Sequence, residues 1–181
     1  MYSTTDQKSV PSKEYSDNVR TWPEFLTTEE HWNVNETGLS LPPVHAKYLF
    51  YLSFLSIFSG CFALYRGYWD LACVPLGVGL NSLNYWRKPD YSWRRYVDMA
   101  YVAISCLWQS LRALDAENRV AFYTILGISI SAFYPGTVYH KKRRLVISTG
   151  LHSVVHIGGN ISNIVLYAGF VPPLRKAWFA A

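Results

Sequence analysis

Hydrophobic residues in this chain gather into long runs, and they do not alternate with polar ones. After a polar stretch reaching residue 46, five runs follow at about 48–65, 69–86, 96–114, 120–139 and 145–171. Each is near or above the ~20 residues that an α-helix needs to cross a bilayer. The pattern predicts an all-α, polytopic transmembrane bundle over residues 47–175, preceded by a polar arm at 1–46 and followed by a short tail at 176–181. Short connections make consecutive helices antiparallel neighbours. The second run contains Pro75, Gly77 and Gly79. As a kinked or re-entrant segment it would lower the count from five spans to four.

Composition and charge refine this picture. With 181 residues, half of them hydrophobic, the chain has material for one domain. Cys61, Cys73 and Cys106 all lie inside apolar runs, spaced neither as a disulfide framework nor as a zinc knuckle, so they read as small packing residues. The net charge of +5 sits in clusters beside the apolar runs. Membrane topology explains that placement, and no nucleic-acid partner is expected. With five spans, the side holding the amino terminus has nine Lys and Arg near the membrane, in clusters at Arg87–Arg95 and Lys141–Arg144 among others, against five on the opposite side. The positive-inside rule then puts the amino terminus in the cytosol and the carboxyl terminus outside or in a lumen. Crowded Trp and Tyr residues at the ends of the first three runs fit interfacial anchors.

The arm is acidic and shows no apolar run suited to a signal peptide, so no cleaved presequence is expected. Thr21 can cap a short helix with Pro23 and Glu24 in its first turn and Trp22, Phe25, Leu26 and Trp32 on its apolar side. Acidity makes anionic lipid a poor occupant for that face, so it should pack on the bundle or on a partner protein. The Asn35 sequon would face the cytosol and stay unmodified.

Chemistry concentrates in the last run, where His152, His156, Asn160 and Asn163 share one helical face. Polar side chains at membrane depth are expensive, so such a stripe has to be explained. Two imidazoles at i, i+4 can reach one metal ion. Counted by helical rise, they lie at the depth of Asn81, Ser82 and Asn84 at the end of the second run and of Asp98 near the start of the third. One reading is a metal site of His152, His156 and Asp98, with metal-bound water attacking an ester or amide. The other is a polar seam in which the histidines and Asn81, Asn84, Asn160 and Asn163 join helices, while Asp98 pairs with Arg94 or Arg95 one turn away.

Ser82 at a helix end, Asp98 early in the next span and the pair His152 and His156 in the last span resemble the pattern of the CREST superfamily. These are seven-helix membrane hydrolases and receptors that include alkaline ceramidases and adiponectin receptors. The resemblance implies zinc held by His152 and His156, Asp98 and Ser82 as water-orienting or acid–base groups, and a lipid amide or ester as substrate. Trp86 stands where that family carries a third histidine, leaving His45, His140 or Asp98 to complete a ligand set. Two functions of different class are therefore expected from the sequence. One is a non-catalytic multi-pass subunit or scaffold embedded in lipid, docking a partner through its arm. The other is a zinc-dependent lipid hydrolase.

Overall fold

Helices dominate the residues described by the computed structural model, 37–173. The helix expected around Thr21, the Asn35 sequon and the tail at 176–181 lie outside the described residues. Helices α1 (Pro43–Leu52) and α2 (Phe54–Tyr65) form one rod with a local break at Ser53, whose hydroxyl donates to the Leu49 carbonyl at 2.9 Å. Helix α3 spans Trp69–Trp86, and α4 spans Trp93–Ala113. Helices α5 (Arg119–Ser131) and α6 (Phe133–Lys141) form a second broken rod, and α7 runs Leu145–Ala168. Among the described residues no strand is present, only an isolated antiparallel bridge between Leu39 and Asp90.

The five apolar runs thus each contain a helix or a broken helical rod. Two of these, Pro43–Tyr65 and Arg119–Lys141, are each 23 residues long and apolar enough to cross a membrane. Among the described residues α7 is the longest single helix at 24 residues, and its polar stripe dilutes its apolar character.

Proline 75 leaves α3 unbroken, and the reason is visible in its neighbours. A proline has no N–H, so the carbonyl four residues earlier, that of Leu71, loses its helical partner. The Gln109 side chain on α4 supplies one, donating from Nε2 to the Leu71 oxygen at 3.1 Å. The same Nε2 donates to the Tyr167 hydroxyl of α7 at 2.6 Å, so one carboxamide joins three helices. A neighbouring helix repairing a proline gap is how such breaks are tolerated where water is excluded.

α7 packs against α2, α5 and α6, while α3 lies between α2 and α4. Close approach of α5 and α7 depends on Gly158, where a Cβ would overlap the Ser129 side chain. On α2, Ser56, Ser59, Gly60 and Ala63 form a buried small-residue face. The cysteines depart from their expected packing role: Cys61 and Cys73 are exposed, and only Cys106 is partly buried. Helix rotation explains this, since run length does not fix which face of a helix is turned outward.

Polar bonds fasten both ends of the bundle. At one end, Arg112 Nε donates to Asp70 Oδ2 at 2.6 Å and its Nη1 to the Pro172 carbonyl at 2.8 Å, while the Tyr68 hydroxyl donates to the Gly169 carbonyl at 2.9 Å. At the other, the Ser40 backbone N–H donates to the Pro89 carbonyl at 2.8 Å, and His45 Nδ1 lies 2.9 Å from the Thr149 hydroxyl. Asp90 pairs with Arg94 at 2.5 Å across one turn. The Ser92 hydroxyl, with Arg94 helping, holds the Asp90 carboxyl below the usual carboxylate range.

The Pro75 repair can be tested with a double-mutant cycle read by reversible unfolding in detergent. Gln109→Leu should destabilise the protein by about 1–3 kcal/mol, since it orphans a buried carbonyl. In a Pro75→Ala background that loss should shrink by about 1 kcal/mol, because residue 75 then supplies its own N–H.

Candidate functional site: a polar-cornered cavity beside α7

The site arises from the way α4 is held. This helix buries a polar stripe, Asp98, Ser105, Gln109 and Arg112, and turns its apolar side outward. It leans on α3 and touches α5 only slightly, close to the loop that joins them. The two arms of this hairpin splay apart and leave a cavity of about 440 Å³ backed by α7 and α3. Its walls are mostly apolar, with Val78, Val102, Leu126, Ile130 and Phe133 among them. That volume is within the range of small-molecule sites.

One corner of the cavity is polar. The Ser82 hydroxyl of α3 donates to Asp98 Oδ1 of α4 at 2.5 Å, a short charge-assisted contact. His152 and His156 of α7 line the same cavity, their ring centroids 5.2 Å apart, as do Asn160 and Asn163. The buried Trp86, which lines the smaller neighbouring cavity, packs against them, its ring 5.3 Å from that of His152 and 6.5 Å from that of His156. A smaller cavity of about 130 Å³ adjoins and shares Asp98, Met99, Phe133 and His152 as common lining. Arg95 and His140 stand on its far side.

Four of the residues singled out from sequence, Ser82, Asp98, His152 and His156, therefore surround one space. The ion pair expected between Asp98 and a neighbouring arginine is not what forms. Arg94 bonds Asp90 and Arg95 stacks on the Tyr91 ring at 5.0 Å, leaving Asp98 to Ser82. The seam is narrower than expected. Asn160 does bridge helices, accepting from Ser59 at 2.8 Å and donating to Ser56 at 3.2 Å on α2. Asn81 instead bonds the Gly77 carbonyl of its own helix, and at Asn84 it is the backbone carbonyl that receives Arg94. The histidines meet Trp86 and Phe133 rings.

Zinc does not fit this corner as a three-ligand catalytic site. Among the described residues, no group of three or more His, Cys, Asp or Glu is placed to hold a metal ion. The Trp86 ring packs against both histidines, and His45 is engaged with Thr149. The residues that sequence reasoning passed over are Gln109, Asp70 and Arg112. For Gln109 and Arg112 the signal is the spacing of Asp98, Ser105, Gln109 and Arg112, which follows one helical face; Asp70, on α3, has no such signal. No family model, curated protein or solved structure matches the chain.

Removing the Asn160 bridge should lower stability with little change in shape. Asn160→Leu is expected to cost about 0.6–1.7 kcal/mol, the range of interhelical bonds of this kind. Thermal unfolding of the purified protein, compared with the unmutated chain, measures it.

Proposed function

We propose that this chain is an integral membrane protein crossing the bilayer five times, acting without covalent chemistry as a subunit or scaffold. The observation that carries this reading is the inverted distribution of polarity. On α4, Leu107 is 63% exposed and Ile104 57%, while Gln109 is 1% exposed and Asp98 8%. α7 repeats it, with Val154, Ile157 and Ile161 outside and Ser153, Asn160 and Ser162 inside. In water this arrangement would be costly on both counts, whereas hydrocarbon reverses the preference. Helices of 18 to 24 residues, or about 27–36 Å, are also of the length a ~30 Å hydrocarbon layer requires.

The buried polar groups serve chiefly as joints: Asn160 to α2, Gln109 to α3 and α7, and Ser148 to the Gly136 carbonyl at 2.9 Å. The basic clusters at 87–95 and 141–144 favour the cytosol for the end that carries them, and with it the amino terminus. The polar stretch that precedes α1 then forms a cytosolic arm for a protein partner.

A second reading, a membrane hydrolase related to the CREST superfamily, draws support from one observation, the meeting of Ser82, Asp98, His152 and His156 around a single cavity. The missing third ligand weighs against it.

Two experiments separate the readings. Single cysteines in a cysteine-free background, at Arg66 and Asp115 and at Lys88 and Lys142, are challenged with a membrane-impermeant thiol reagent in intact cells. The first pair should react from outside the cytosol and the second only after permeabilisation. Labelling of all four from one side would refute five spans. Elemental analysis should find less than about 0.1 zinc per chain, because two imidazoles hold the ion poorly. Stoichiometric zinc lost on His152→Ala with His156→Ala would favour the hydrolase.

A further inference from the structure

The charge inside the large cavity is unbalanced. Among the described lining residues, Asp98 is the one formally charged side chain, and it is 92% buried. Among the described residues it forms no ion pair, since Arg94 is committed to Asp90 and Arg112 to Asp70. Its contact is the Ser82 hydroxyl on Oδ1. A buried carboxylate with a neutral partner calls for a cation to offset its desolvation. The cavity leaves room for one, because it extends along α4 from Asp98 to Gln109, about 16 Å of helix.

We propose that this cavity binds a single-chain primary amine, its ammonium group against Asp98 and its hydrocarbon chain along the apolar walls toward Gln109. A primary ammonium has three N–H donors. The corner supplies matching acceptors in the Asp98 carboxylate, the Ser82 oxygen and the imidazole nitrogens of His152 or His156. An alcohol would satisfy those hydrogen bonds and leave the charge unbalanced. A carboxylate would be repelled by Asp98 and drawn instead toward Arg95 and His140 of the adjoining cavity. The ligand enters through the splayed opening between α4 and the α5–α6 rod, where the walls are apolar, avoiding Arg95. The inference rests on the membrane reading for this route of entry alone; the pairing of charge and shape does not depend on the number of spans.

The full chain, exchanged from detergent into a non-ionic amphipathic polymer, is titrated with tritiated dodecylamine in a scintillation proximity assay. Dodecanol and dodecanoate serve as competitors. Saturable binding near one amine per chain is expected, with dodecanol at least tenfold weaker and dodecanoate weaker still. Asp98→Asn, which keeps the shape and removes the charge, should weaken amine binding at least tenfold. Ala103→Phe fills the cavity wall without touching the polar corner and should also weaken it, which covers the case in which the Asp98 variant fails to fold. Equal affinity of the amine and dodecanol, or an Asp98→Asn chain that binds as well as the unmutated one, would overturn the proposal. Tighter binding of dodecanoate would do so as well and would point to Arg95. Failure of the five-span mapping would leave these results unchanged, so the two proposals fail separately.

Discussion

The structure depends on one carboxamide. Gln109 sits on α4, fills the hydrogen-bond vacancy that Pro75 opens in α3 at Leu71, and holds the Tyr167 hydroxyl of α7. Helix propensity alone would let α3 bend at Pro75, and apolar packing alone would give α4 little reason to stay, since its outer side is as apolar as lipid. On the proposed membrane reading, polar bonds take over the role that hydrophobic burial has in water-soluble bundles. Tyr167 and Leu71 also belong to the main buried apolar cluster, together with Phe122 and Leu166, so the polar joint and the packed core coincide at this end.

The cavity follows from the same arrangement. α4 is fixed along α3 by Gln109, by the Arg112–Asp70 pair and by the Trp108 indole donating to the Asp70 carbonyl at 3.0 Å. Its contact with the α5–α6 rod is slight, and beside the short loop that joins them the Tyr123 hydroxyl of α5 donates to the Ser110 carbonyl of α4 at 2.6 Å. The space between them widens toward Asp98, where the stripe of α7 and the end of α3 supply polar groups. The Trp86 ring packs against both histidines.

Much of this was legible in the sequence, and the parts that were not share a cause. Run lengths predicted five helical segments, and four have boundaries close to those found, because a continuous apolar run has few other ways to satisfy its backbone; the first helix begins at Pro43, inside the stretch expected as arm. Depth counting brought Ser82, Asp98, His152 and His156 to one level, because helical rise is fixed. Rotation about each helix axis is not fixed by either signal. Asn81 was therefore expected in the seam and bonds its own helix, Cys73 was expected inside and lies outside, and Asp98 was expected beside an arginine and turns to Ser82. Taken singly, Gln109 and Arg112 carry no signal. Only their spacing with Asp98 and Ser105 reveals a stripe as continuous as that of α7.

The central claim is that the apolar faces of α4 and α7 lie against lipid while their polar faces are turned inward. Spin labels at Leu107 and Ile157, with Ser105 as the inward control, measure this directly by electron paramagnetic resonance in reconstituted bilayers. High collision rates with oxygen and low rates with a water-soluble nickel complex are predicted at Leu107 and Ile157, and low rates with both at Ser105. Free access of the nickel complex to Leu107 and Ile157 would place those faces in water and contradict the account.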